Sequence, residues 1–318
     1  MQVLDVLGLR TYYFTEIGTI KAVNGASVGL SEGECLGIAG ESGCGKSTLA
    51  LSILRLIKPP GRIVDGKILF RETDLLRLSP EEMRKIRWRK ISMVFQGALN
   101  ALNPVYTIGR QIVEAITTHL NYNKEEAKKK AIELLESVGL DKSNFNSYPH
   151  ELSGGMKQRA LIAMALSCDP EVLIADEPTT AVDVVTQARI LMLLKNLQRQ
   201  RNLSLIVISH DLSILAQVCD RVVIMYAGKI VESADIESIF GNPLHPYTKA
   251  LISAFPNAKG PKRPLSILPG EPPDLINPPK GCVFSPRCPQ ASALCSEREP
   301  ELIEVSPGHH VACNFIKS

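Results

Sequence analysis

No run in this 318-residue chain approaches the ~18 to 20 consecutive apolar residues that a membrane-spanning helix needs. The longest candidates, such as Leu203 to Ile208, have the length of strands. The start of the chain lacks a charged stretch, an apolar run and a small-residue cleavage site, so nothing marks it for secretion and the expected compartment is the cytosol. Long blocks of one charge sign are missing as well. The 36 Lys and Arg stand against 33 Asp and Glu for a net charge of +3, so the basic face of a dedicated DNA-binding protein is absent and no nucleic-acid partner is expected. Internal repeats and low-complexity tracts are also lacking. Apolar residues at 45% and charged residues at 22% exclude disorder as the main state.

The length suits about two domains, and composition changes near residue 241. Residues 1–240 form the expected first domain and 241–318 a C-terminal extension. In the first, short β-rich runs alternate with helical patterns: Glu34 to Gly40, Val172 to Asp176 and Leu203 to Ser209 each read as a buried strand entering a turn. The expectation is an α/β fold with a mainly parallel sheet covered by helices. Ile17 to Leu30, and the pair Arg221 to Tyr226 and Lys229 to Glu232 joined at Ala227-Gly228, read as antiparallel additions. Residues 97–160 read as a helical subdomain. Lys124 to Gly139 shows it best, with Ala127, Ala131, Leu134, Leu135 and Val138 on one stripe and Gly139 as a C-cap. Eight prolines from Pro256 to Pro279 make a stiff connection into the extension.

Gly40-Glu41-Ser42-Gly43-Cys44-Gly45-Lys46-Ser47 fits G-x-x-x-x-G-K-S in full, after a strand and before the helical run that starts at Thr48. Glycines let the backbone curl so that successive N–H groups face a phosphate, and the helix N-terminus adds partial positive charge. Lys46 adds a full charge for the β- and γ-phosphates, and Ser47 offers a hydroxyl to Mg²⁺. Asp176-Glu177 ends an apolar strand. At such a strand end Asp176 would hold the metal through its water shell and Glu177 would orient or deprotonate the attacking water. His210 follows a third strand and is placed to touch the γ-phosphate.

Leu152-Ser153-Gly154-Gly155-Met156, between the two nucleotide motifs, has no role in an ordinary phosphate-loop enzyme. With it, the ordered set of Tyr13, the phosphate loop, Gln96, Ser153-Gly154-Gly155, Asp176-Glu177, Asp183 and His210 resembles the ABC ATPase family over residues 1 to about 240. The resemblance implies ATP and Mg²⁺ as cofactors and hydrolysis in a head-to-tail dimer. Each ATP would lie between one chain's phosphate loop (Ser42, Gly43, Cys44, Gly45, Lys46, Ser47, Thr48) and the other chain's Ser153, Gly154 and Gly155. Gln96 would join Ser47 and Asp176 around Mg²⁺, Asp183 would couple the two chains, and Tyr13 would stack on adenine, with Tyr12 and Phe14 as neighbouring competitors. Two departures stand out: Met156 where many relatives have Gln, and Gly97-Ala98 where Asp-Pro is commoner.

Asn103-Pro104, Thr107-Ile108-Gly109, Tyr148-Pro149-His150-Glu151 and His245-Pro246-Tyr247-Thr248 resemble ATPase subunits of oligopeptide and dipeptide importers. That branch implies a second ATPase subunit, identical or not, two membrane permeases, an extracytoplasmic solute-binding protein and a place on the cytoplasmic membrane face. Oligosaccharides, nickel or opines are the alternative solutes, and a non-transport ABC ATPase is the other class. Cys282, Cys288, Cys295 and Cys313 are spaced too widely for a zinc ribbon. Four thiolates can instead hold a [4Fe–4S] cluster, with Zn²⁺, disulfides and unligated thiols as alternatives and His309 or His310 as a substitute ligand.

Overall fold

A computed structural model describes residues 1–97, 101–180, 182–253 and 270–316. Ala98, and the part of the proline-rich connection before Gly270, lie outside the described residues. The chain begins with strands β1 (Gln2–Thr15), β2 (Gly18–Ser31) and β3 (Cys35–Ala39), helix α1 (Lys46–Ile53), strands β4 (Gly61–Phe70) and β5 (Thr73–Asp74), helix α2 (Pro80–Ile86) and strand β6 (Ile91–Val94). Helices α3 (Ile108–His119), α4 (Lys124–Ser137) and α5 (Gly154–Ala165) follow, then β7 (Val172–Asp176), α6 (Val184–Arg201), β8 (Ser204–Ser209) and α7 (Leu212–Val218). The last part holds β9 (Arg221–Tyr226), β10 (Lys229–Asp235), α8 (Ile236–Gly241), α9 (Pro246–Ser253), α10 (Ala293–Glu297), β11 (Ile303–Ser306) and β12 (His309–Val311). Among the described residues no helix is long and apolar enough to cross a membrane.

Two compact units result. The first contains Leu30–Cys35 and Arg77–Ile208. Its strands β6, β7 and β8 run parallel, in a register that places Ile91 beside Val172 and Val172 beside Ser204. Every residue of the three is buried, and β7 and β8 accordingly read as nearly continuous apolar runs and not as alternations, while β6 carries the buried Ser92. Helix α4 starts where the Asn123 side chain accepts from the Glu126 N–H and Glu126 returns the bond to the Asn123 N–H. Ala127, Ala131, Leu134 and Leu135 form its buried stripe, and Gly139 ends it at φ 73°.

The second unit contains Gln2–Gly29, Leu36–Leu76 and the chain from Ser209 onward. One sheet has the order β2-β1-β4-β5. In the other, β3 pairs with β9 in parallel, with Leu36 beside Arg221 and Ala39 beside Ile224. The expectation of an antiparallel pair at 221–232 therefore holds for β10 against β9, while β9 itself belongs to the parallel part. Ala227 and Gly228 both have positive φ, as a two-residue hairpin turn demands, and so reverse the chain between them. β12 then pairs with β10 and β11 with β12, so the last described strands extend the sheet from its β10 side.

Candidate nucleotide site

The phosphate loop lies in the second unit, between β3 and α1. Gly45 sits at φ 105°, and a Cβ there would meet the Ala22 carbonyl oxygen at 2.1 Å, so only glycine fits this N-cap. Beyond it the first turn of α1 presents its N–H groups, with Lys46 and Ser47 as its first residues. Lys46 is buried. Its ammonium donates to the carbonyls of Gly40 at 2.7 Å and Glu41 at 2.9 Å and contacts Cys44 Sγ at 3.7 Å. Burial pushes the Cys44 thiol up, so this residue stays neutral and its backbone is what the loop uses.

Glu41 is held through all of its polar groups. Its carboxylate accepts both Arg287 Nη1 at 2.8 Å and Arg287 Nη2 at 3.1 Å, its N–H donates to the Tyr247 hydroxyl at 2.9 Å, and its carbonyl receives Lys46. Tyr226, Tyr247 and Phe284 pack against one another in tilted and edge-to-face pairs, with centroids 4.7 to 5.5 Å apart. Each such pair contributes about 0.5 to 1.5 kcal/mol beyond the area it buries. Tyr13 lies near the end of β1, where Gly61 leaves room for its ring: a Cβ at Gly61 would come within 2.6 Å of it. Its two neighbours are engaged, Tyr12 through a hydroxyl bond to Asn24 Oδ1 at 2.8 Å and Phe14 under the Arg62 guanidinium at 4.1 Å.

The carboxylates lie in the first unit, at the end of β7. Asp176 is 2% exposed. Glu177 follows the strand at φ 47°, a positive value uncommon for a residue with a Cβ. Gln96 Nε2 and Thr180 Oγ1 both donate to Glu177 Oε2, each at 3.0 Å. Gln96 and Glu177, 81 residues apart in sequence, are thus hydrogen-bonded to each other. His210 follows β8 directly and is exposed.

The signature is a helix start. Ser153 is the N-cap of α5, and its hydroxyl accepts from the Met156 N–H at 3.4 Å. Asp183 caps α6 in the same way, accepting the Thr186 N–H at 3.0 Å and the Thr186 hydroxyl at 2.7 Å, bonds that hold its carboxyl below the usual range. The two helix starts lie close together: a Cβ on Gly155 would come within 2.6 Å of Thr186 Cγ2.

Residues 23–180 match the family described as ABC transporter, and residues 231–295 the family described as oligopeptide/dipeptide transporter, C-terminal region. A probable peptide ABC transporter ATP-binding protein of Sinorhizobium fredii is 47% identical over 98% of this chain and 94% of its own length. A dipeptide transport ATP-binding protein of Bacillus subtilis is 46% identical over the same shares. The chain belongs to the ABC transporter family. Among solved structures, a dimeric ATP-binding cassette in a post-hydrolysis state with ADP and Pi superposes with a TM-score of 0.66 at 29% identity, over 73% of this chain and 98% of that one. A cassette of Clostridium perfringens from a cbiONQ complex gives 0.66 at 28%, over 76% and 91%.

This ABC ATPase departs from the sequence reading in its tail. Among the described residues no three His, Cys, Asp or Glu side chains gather as a metal-ligand set. All four tail cysteines are free of disulfides, and burial raises the thiols of Cys282, Cys288 and Cys313. The expected ligation by Cys282, Cys288, Cys295 and Cys313 is therefore not supported. Nor does His309 stand in for a ligand: its Nε2 bonds the buried Glu232 at 2.8 Å. What staples the tail instead is the Tyr226, Tyr247 and Phe284 cluster with Arg287. Sequence reasoning missed Glu41, Thr180 and Arg287 as site residues. Glu41 stands at a free position of the loop pattern, and Arg287 lies 246 residues away, beyond any spacing rule.

Proposed function

We propose that this ABC ATPase is the ATP-hydrolysing subunit of a peptide importer, docked on the cytoplasmic face of the membrane beneath two permeases. The support is the match of residues 231–295 to the peptide-transporter C-terminal family, together with relatives named for peptide or dipeptide transport along nearly the whole chain. An extracytoplasmic binding protein would deliver the solute.

The roles proposed for the residues follow from their local chemistry. The glycine-rich curl and the α1 N-terminus suit an anion, and Lys46 suits the β- and γ-phosphates. Tyr13 is proposed for the adenine. Ser47, Gln96 and Asp176 carry the oxygen donors that Mg²⁺ prefers. Bound Mg²⁺ would neutralise phosphate charge. Glu177 is proposed as the base or positioner of water, steered by Gln96, with His210 at the γ-phosphate. Ser153, Gly154 and Gly155 are proposed to close on the ATP of a second cassette, with Asp183 as the coupling residue, as in a dimeric cassette. The proposed domains are residues 1–240 for the cassette and 241–318 for the extension.

Two measurements test this. Glu177→Gln in the assembled transporter should lower ATP turnover by about 10²-fold or more while ATP still binds, because the amide keeps the hydrogen bonds and loses the basicity. Near-normal turnover would overturn the role of Glu177. ATP hydrolysis by the complex should rise when the binding protein carries a di- or oligopeptide; stimulation by nickel or an oligosaccharide alone would overturn the solute class.

A further inference from the structure

A triphosphate brings several negative charges to the phosphate loop, yet the loop carries a carboxylate of its own, Glu41. Its compensation comes from the tail. Arg287 is 6% exposed and meets Glu41 with two parallel N–H···O bonds, the bidentate geometry that a guanidinium offers and an ammonium cannot. Arg287 is itself anchored: Nη1 donates to the Tyr226 hydroxyl at 3.3 Å. Tyr247, fully buried on α9, takes the Glu41 N–H. The Glu41 carbonyl, with that of Gly40, is where the Lys46 ammonium rests.

We propose that the C-terminal extension is a brace for the phosphate loop: Arg287 neutralises and aims Glu41, Tyr247 pins its backbone, and together they set the loop that receives the nucleotide's phosphates. Both are positioning residues that act through Glu41. The proposal rests on the reading of this loop as the ATP site. It gives the tail a part in nucleotide affinity that its distance along the chain conceals. Without Arg287 the Glu41 carboxylate would stand uncompensated within the loop that receives the phosphates, and the loss would be electrostatic, so that removing the Glu41 charge as well would repair it.

The test is a MgATP binding titration on the full chain, with amide exchange of residues 40–47 followed without nucleotide. Arg287→Met should weaken MgATP binding by roughly tenfold, as one uncompensated, partly buried charge near the phosphates would. Glu41→Gln added to Arg287→Met should bring binding back to within about threefold of Glu41→Gln alone, and Arg287→Lys should fall between. Loop amides should exchange faster in Arg287→Met than in the wild type. Unchanged binding and exchange would overturn the brace, and so would a loss that Glu41→Gln does not repair, which would mean a role in folding only. If Arg287→Met does not fold, Tyr247→Phe decides: it removes one acceptor, and the loop amides should still exchange faster, whereas an unchanged loop overturns the proposal. A wild-type chain that binds MgATP no better than Lys46→Ala would overturn the ATP reading, while the exchange data would still judge the brace.

Discussion

At the residue scale, several decisive groups in this protein are held by bonds that no local pattern announces. Glu177 was legible as the second carboxylate of a strand end, but its left-handed backbone and its bonds to Gln96, 81 residues away, and Thr180 were not. Long-range polar pairs leave no periodicity in sequence, because only apolar burial repeats with the turn of a helix or the pleat of a strand. His245 is a second case. It marked a branch of the family in sequence, and in the fold it is 1% exposed, packs on Phe284 and accepts the Tyr247 N–H on Nδ1 at 3.1 Å, a bond that only the neutral ring can accept. Burial, with nearby Lys249 adding to it, lowers its pKa from 6.5 to about 3. The unfolded chain therefore takes up a proton as pH falls through about 6.5, while the folded chain refuses it until near 3, and stability drops across that window by up to about 1.4 kcal/mol per pH unit. His245→Asn keeps an acceptor and does not titrate. Its melting temperature should lie below that of the wild type at pH 7.5, with the gap narrowing at pH 5; an equal gap at both values would remove His245 as the source of the acid sensitivity.

At the element scale, the parts that sequence made legible are those buried on both sides. β7 and β8 had to be continuous apolar runs, and α4 had to carry a three-four stripe ending in glycine, so their chemistry and their position coincide. β4 mixes Arg, Asp and Lys with its apolar residues and is for the most part half-buried or exposed, which hides it, and β9 has a strand pattern that cannot say whether its neighbour runs with it or against it. The contact between α5 and α6 was likewise invisible, although both of its ends were named in the sequence. There the signature glycine Gly155 fits only because nothing extends from it toward the Thr186 methyl group, while Asp183 holds Thr186 from the other side. Gly155→Ala should push the two helix starts apart and reduce ATP hydrolysis by the assembled transporter, while binding of MgATP to the chain's own phosphate loop is retained. Thr186→Ser deletes the methyl and keeps the hydroxyl that Asp183 accepts. The double variant should therefore recover most of the lost turnover, and a double variant as impaired as Gly155→Ala would show that the 2.6 Å approach is not what constrains the signature.

At the scale of the whole molecule, the phosphate loop and the signature pose a question of stoichiometry. Each is a helix N-terminus of the kind that suits an anion, Lys46 at the start of α1 and Ser153 at the start of α5, and the proposed head-to-tail dimer would take one of each from different chains. Lys46→Ala and Ser153→Arg should each abolish turnover when present in every copy. In a head-to-tail pair of identical subunits, mixing the two inactive variants places both lesions at one ATP and leaves the other ATP with an intact loop and an intact signature. Random pairing makes half of the dimers mixed, each with one working site of two, so activity should return to about a quarter of the wild-type value if the sites act independently. Recovery on mixing, absent from either variant alone, would show that the two halves come from separate copies. If the mixture stays inactive although both variants assemble with the permeases, the partner is a non-identical ATPase. The same two substitutions divided between that partner and this chain should then restore turnover instead.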